Sequence, residues 1–153
     1  MGSVRIVYVD PSAEEGEGRE FLLSGAAGFV WVGASGDLET DTRVELSHNT
    51  THALLGHGVV DALNDLPLEG NVGRGVEAVV PPAALDPVRS VFVDADRTTY
   101  GAVHEFVVAR RGRREPTEYR IRIDNREYQI ALARLTFLTT RASREGKAVW
   151  IRI

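Results

Sequence analysis

The chain has 153 residues, of which 26% are charged and 43% hydrophobic, with a net charge of −4 and no cysteine. This length fits one domain around a single core, over residues 1–153. Without cysteine there is neither a disulfide framework nor thiolate chemistry, which is compatible with a reducing compartment. No apolar run reaches the roughly 18 residues of a membrane span, and the first residues lack the apolar centre of a signal peptide. We therefore expect a soluble, cytoplasmic domain without membrane contact.

The charge is divided unevenly along the chain. Residues 1–100 hold 6 basic and 16 acidic residues, whereas residues 101–153 hold 12 basic and 6 acidic ones. Such a division can give a folded domain one acidic site and one basic face, which suits a polyanion held by metal and arginine together. The alternative is that the two halves neutralise each other in the fold.

The first part of the chain predicts three strands. Residues 4–9 are apolar and β-branched on both alternating faces, as in a central strand buried on both sides, and they end at Asp10. A hairpin or one bent strand is predicted at residues 21–24 and 29–33. Residues 42–46 (TRVEL) then alternate like a half-exposed strand.

A capped amphipathic helix is predicted over residues 45–67, and it organises the rest of the interpretation. Its apolar residues fall on one helical face, and His52 lies on the same face near the helix start. This places an imidazole where it can meet carboxylates at the ends of neighbouring strands. The apolar residues of the face are Leu55, Val59, Ala62, Leu63 and Leu66, and the candidate capping residues are Ser47, Asn49 and Thr50.

Glycines and prolines predict an irregular excursion over about residues 67–87, with one short edge strand at 76–80. Alternating strands and helices follow it. A strand at 88–93 is expected to end at Asp94, the second carboxylate that would meet His52. The other predicted elements are a helix at 98–109, a strand with one cationic face at 119–123, a helix at 126–145 capped by Gly146, and a strand at 148–153.

This order of elements and four short motifs resemble the ribonuclease H-like family. VRIVYVD is similar to its first strand, RSVFVDADRTTYGAV to its fourth strand and following helix, HNTTHALLGHGVVDAL to its first helix, and NREYQIALARL to its last helix. The resemblance implies an α/β fold with one mixed sheet, in the order β-β-β-α-β-α-β-α, plus a C-terminal strand. The excursion has no counterpart in that pattern.

The resemblance also implies an acidic metal site. Asp10 and Asp94 fall on two of the family's catalytic carboxylates, whereas His52 stands where the family has Glu and Gln129 where it has Asp. Mg²⁺ prefers oxygen ligands, and two such ions about 3.5–4 Å apart stabilise both oxygens of a phosphodiester displacement. Glu45 or Asp124 would supply a missing carboxylate. His52 would instead favour Mn²⁺ or act as a general base.

A run of basic residues follows the predicted helix at 98–109. In the ribonuclease H-like family, a basic segment at the corresponding position binds the hybrid duplex. The predicted phosphate contacts are Arg110, Arg111, Arg113 and Arg114, with Arg120 and Arg122 on the next strand. The alternative is a solvated loop.

Three functions follow from these observations. The first is a divalent-metal nuclease acting on RNA in an RNA/DNA hybrid or a structured duplex. The second is a catalytically inactive ribonuclease H-like module that binds nucleic acid or a protein partner. The third is a small lectin-like or toxin-associated module, because residues 119–153 are also similar to the end of certain toxin binding subunits. The absence of cysteine and of an export signal counts against this third reading.

Overall fold

A computed structural model describes residues 3–11, 13–23 and 27–153. In these residues the chain forms seven strands and four α-helices. The strands are β1 (Arg5–Tyr8), β2 (Ala27–Val32), β3 (Leu38–Leu46), β4 (Glu77–Val80), β5 (Val103–Arg111), β6 (Thr117–Asp124) and β7 (Ala148–Arg152). The helices are α1 (His48–Gly56), α2 (Val59–Asn64), α3 (Leu85–Thr98) and α4 (Asn125–Glu145).

The strands form two sheets. The three-stranded sheet has the order β1-β6-β5, with β1 parallel and β5 antiparallel to β6. The four-stranded sheet has the order β3-β2-β7-β4 and is antiparallel throughout. Helix α1 packs on β5 and β6, whereas α4 contacts β6 as well as β3 and β7. One apolar core therefore includes buried residues from both sheets and from the helices.

The α/β class agrees with the sequence, but the predicted single mixed sheet does not. The ribonuclease H-like strand order is not confirmed, because β1 pairs with β6 and not with β2. The expectation that the first strand is buried on both sides is also wrong. Val7 packs against the core, whereas Ile6 and Tyr8 on the opposite face are exposed. The apolar run reflects an uncovered sheet face, which periodicity alone does not distinguish from a buried one.

Two predicted elements have the opposite type. Residues 88–93, predicted as a strand, lie in helix α3, where Leu85, Val88 and Phe92 form one buried helical face. Pro87 is accommodated because it lies in the first turn, where its missing N–H is not needed. Residues 98–109, predicted as a helix, contain most of strand β5, whose burial alternates along Val103–Arg111. Gly101, at φ 94°, lies in the turn that separates α3 from β5.

The long helix predicted at 45–67 is divided into α1 and α2. Ser47 caps α1, since its hydroxyl accepts the Thr50 N–H at 3.2 Å. Gly58, at φ 78°, has a left-handed conformation that ends one helix and starts the other.

The later predictions are confirmed. The edge strand at 76–80, the strand at 119–123, the helix at 126–145 and the C-terminal strand correspond to β4, β6, α4 and β7. Residues 29–33 and 42–46 lie mostly in β2 and β3. The strand predicted at 21–24 is wrong for residues 21–23, which end a 3₁₀ turn and continue as a loop, and Ser24 lies outside the described residues.

Candidate binding groove beside strand β5

The predicted metal ligands lie on different parts of the fold. Asp10 follows β1 in the three-stranded sheet, whereas Glu45 lies on β3 in the other sheet. Asp94 is an exposed residue of helix α3, so the premise that two neighbouring strand ends bring Asp10 and Asp94 together is wrong. Within residues 3–11, 13–23 and 27–153 no group of three or more His, Cys, Asp or Glu side chains is arranged to hold a metal. Their metal and catalytic roles stay predictions without geometric support.

His52 points inward, as the sequence predicts, but its contact is a structural one. The side chain is 4% exposed, and its Nε2 accepts the backbone N–H of Leu23 at 3.2 Å. Burial lowers the pKa of His52 from 6.5 to about 4, and the charge of His48 contributes to the shift. The imidazole is therefore neutral at physiological pH with its Nε2 lone pair already used. It fastens the loop at residues 21–23 onto α1.

The predicted phosphate-binding arginines mostly face carboxylates. On the outer face of the three-stranded sheet, Arg120 contacts Glu118 at 2.5 Å and Glu105 at 3.3 Å. Arg122 contacts Glu105 at 3.0 Å, and Arg110 contacts Glu118 at 2.8 Å. The hydrogen bond from Arg120 is the main cause that lowers the pKa of Glu118. The predicted cationic face is thus a mixed-charge network, because β5 supplies a glutamate opposite the arginines of β6.

The remaining predicted arginines lie near the turn between β5 and β6. Arg111 contacts Glu20 at 3.0 Å, and its guanidinium carbon lies 4.6 Å from the centroid of the Phe21 ring. Arg113 and Arg114 are exposed and form no ion pair with any residue that the structure describes. These two remain available for an external anion.

A groove of about 620 Å³ lies where the loop at residues 21–23, the end of α1 and strand β5 meet. Most of its lining residues have apolar side chains, although polar groups make up about half of its exposed surface. Arg74 is the one side chain of that lining with a full charge. The lining residues are Phe21, Leu22, Leu23, His52, Leu55, Gly56, Arg74, Phe106, Val107 and Val108. Its shape and chemistry make it the principal candidate site.

The groove runs along the backbone edge of β5. Phe106 and Val108 point toward the core and Val107, 48% exposed, points away, yet the groove touches all three. In the described sheet β5 pairs only with β6, so its other edge has no strand beside it. A register shift between Val107 and Ala109 interrupts the ladder at this point. Unpaired N–H and C=O groups on such an edge can pair with another extended chain.

Arg74 is held in an unusual backbone conformation beside this groove. Its φ of 55° makes it the one residue other than glycine with positive φ among the described residues. Gly73 and Gly75 on either side both donate their N–H groups to the carbonyl oxygen of Ile153, at 3.0 and 2.7 Å. A side chain in the left-handed region costs roughly 1–2 kcal/mol. Strain retained at a groove is a reason to look for function there.

Gly56 forms part of the floor of the groove and has no room for a side chain. A Cβ at this position would lie 2.2 Å from the Phe106 ring. The close approach of α1 to β5 therefore depends on glycine.

The sequence interpretation missed both Gly56 and Arg74. Arg74 lies in GNVGRG, within the excursion predicted only as irregular over residues 67–87, and Gly56 lies within the helix predicted at 45–67. An arginine between two glycines was the available signal for a strained turn.

No protein-family model, curated protein or solved structure matches this chain. No helix in the described ranges combines the length and apolar character needed to cross a membrane.

Proposed function

We propose that this domain is an interaction module that binds an extended, acidic polypeptide segment along the free edge of β5. The observation that carries the proposal is a groove with one wall formed by the edge of β5 that no described strand covers, and with Arg74 as its charged group. A segment added to β5 forms main-chain hydrogen bonds, while its alternate side chains enter the apolar groove. Leu22, Leu55 and Phe106 supply that apolar surface.

An acidic segment is favoured by the charges along the edge. Arg74 lines the groove, and Arg113 and Arg114 lie unpaired beyond the end of β5. These arginines are exposed, so an ion pair of one of them with a carboxylate contributes about 0.2–1 kcal/mol, which corresponds to at most about fivefold in affinity.

The test uses two fluorescein-labelled hexapeptides, acetyl-EVEVEV-amide and acetyl-KVKVKV-amide, with binding followed by fluorescence anisotropy. We expect the acidic peptide to bind and the basic peptide not to bind. Arg74→Gly should weaken acidic-peptide binding about two- to fivefold, whereas Arg89→Ala, which removes an exposed arginine of α3, should not change it. Equal binding of both peptides, or no loss with Arg74→Gly, would contradict the proposal. Amide shifts confined to β5 and the loop at 21–23 would support the strand-edge position.

A metal-dependent nucleic-acid-binding domain is the second candidate function, and two carboxylates of the three-stranded sheet favour it. Because β1 and β6 are parallel, Asp10, which follows β1, and Asp124, the last residue of β6, lie toward the same end of the two strands, where Mg²⁺ or Mn²⁺ would find carboxylates. Arg113 and Arg114 would then contact phosphates of RNA or an RNA/DNA hybrid.

Cleavage of a labelled hybrid with and without Mg²⁺ or Mn²⁺ tests this second candidate. Cleavage should need the metal and be lost in Asp10→Asn and in Asp124→Asn. Replacing both Arg113 and Arg114 with Ala should flatten the salt dependence of hybrid binding. A chain that neither binds nor cleaves the hybrid at low salt would remove this candidate.

A further inference from the structure

Two histidines outside the groove meet in a partly buried cluster. His57 is the C-cap of α1, and His104 lies on β5. Their ring centroids are 4.8 Å apart, and the ring planes are inclined at 81°. The Nε2 atoms of both rings are buried and have no hydrogen-bond partner among the described residues. Two unsatisfied imidazole nitrogens this close together require an explanation.

Two further unsatisfied polar groups belong to the same region. Tyr128 is 0% exposed and stacks on His57 with 4.8 Å between ring centroids. Its hydroxyl lies beside Thr99 but makes no hydrogen bond of normal geometry with any described residue. Asn125 is 7% exposed, lies one turn earlier on α4, and has a buried Oδ1 with no hydrogen-bond partner in the described part of the chain. Its backbone N–H donates to the carbonyl of Ala102, two residues before His104. Each unsatisfied group costs about 1–3 kcal/mol, so this region is suited to a polar occupant.

We propose that this cluster binds a divalent transition-metal ion of the Zn²⁺ type through Nε2 of His57 and Nε2 of His104. The Oδ1 of Asn125 and water supply the remaining ligands, and the Tyr128 hydroxyl hydrogen-bonds to that water. With Zn–N bonds of about 2.0–2.1 Å, two imidazoles on one tetrahedral ion have ring centroids about 5 Å apart. The observed separation of 4.8 Å agrees with this geometry.

The chemistry of the ligands selects the class of ion. Imidazole nitrogen suits zinc, cobalt, nickel and copper, whereas Mg²⁺ prefers oxygen. Metal binding requires the neutral form of the imidazole. Burial, followed by the charge of His104, lowers the pKa of His57. The site differs from the acidic cluster predicted from the sequence. Its proposed protein ligands are two histidines and an asparagine, whereas the predicted cluster consisted mainly of carboxylates.

The test is a titration of the untagged, chelator-treated full chain with Co²⁺, followed by visible absorption and by the thermal midpoint. We expect a tetrahedral Co²⁺ absorption band that Zn²⁺ abolishes, and a higher midpoint with either ion. His57→Ala and His104→Ala should each weaken Co²⁺ binding more than tenfold. His48→Ala, which removes an exposed histidine at the start of α1, should leave binding unchanged.

A second measurement does not depend on how the variants fold. In the ¹⁵N spectrum of the unmodified chain, Zn²⁺ should shift the Nε2 resonances of two of the four histidines, His57 and His104. No band and no shift would overturn the site, leaving water as the occupant. A band that persists in both alanine variants, or one lost in His48→Ala, would also overturn it. Peptide binding in the groove is measured separately and does not depend on this result.

Discussion

Replacing Arg74 with glycine should remove the charge of the groove without destabilising the fold. The residue has φ 55°, a conformation that costs roughly 1–2 kcal/mol for a residue with a Cβ. Glycine relieves this strain but loses about 0.5–1 kcal/mol through its greater freedom in the unfolded chain. The balance is a gain of about 0–1.5 kcal/mol. For a chain of this size, 1 kcal/mol corresponds to about 2–4 °C in the thermal midpoint.

Arg74→Ala is the matched control, because it removes the same charge but keeps the strained conformation. Urea and thermal unfolding should therefore rank Arg74→Gly above Arg74→Ala in stability, while both variants bind the acidic hexapeptide equally weakly. If the glycine variant is the less stable of the two, the backbone at residue 74 is not strained as proposed. If the two variants differ in peptide binding, backbone conformation and not charge is what the groove requires.

The remaining predictions concern the elements that hold the groove and α4 in place. Gly56→Ala should destabilise the chain by about 1–3 kcal/mol in urea unfolding, because its Cβ would meet the Phe106 ring at 2.2 Å, and adding Phe106→Leu should recover part of the loss. Between pH 6.5 and about 4 the unfolded chain binds a proton that folded His52 does not, so the unfolding free energy should fall by up to about 3 kcal/mol as the pH is lowered. This acid dependence should flatten in His52→Gln, and an unchanged slope would assign it to other groups. Asp124→Ala should cost about 1 kcal/mol of stability at neutral pH, since its carboxylate accepts the Arg126 N–H at 2.8 Å and caps α4; a loss below 0.3 kcal/mol would argue against the cap.

Elements with one clear periodicity were predictable from the sequence. In α4 the residues Tyr128, Leu132 and Leu135 repeat at helical spacing, and Gly146 ends the helix as its C-cap. Strand β6 likewise alternates between buried and exposed residues. For these segments the local pattern and the tertiary environment favour the same structure, so no knowledge of distant contacts was needed.

The segment at 85–111 was not predictable in the same way. Val88, Val91 and Phe92 fit both a helical face and an apolar strand, and the packing of α3 on α4 favours the helix. In β5, Val103, Phe106 and Val107 fit the i, i+3, i+4 spacing of a helix, but pairing with β6 makes the segment a strand. The predicted metal site required residues 88–93 to form a strand ending at Asp94. Because these residues lie in helix α3, Asp94 is not at a strand end beside Asp10.

The groove could not have been derived from the sequence at all. It is formed by a loop, a helix end, a glycine-flanked arginine and a strand edge that are distant along the chain. Which side of β5 lacks a neighbour follows from the order of strands in the sheet, and this order is set by non-local pairing. Only the Gly-Arg-Gly sequence pointed locally to a special conformation.

The outer face of the three-stranded sheet has a consequence for how copies of the chain behave at high concentration. Apolar side chains of its two flanking strands stand in water, among them Ile6, Tyr8 and Val107, and such faces tend to stack on one another. Between them, Glu105 and Arg120 hold charges that any stacking would have to dehydrate. These paired charges act as a barrier to self-association, so solubility of the domain depends on residues whose contribution to its folding is small.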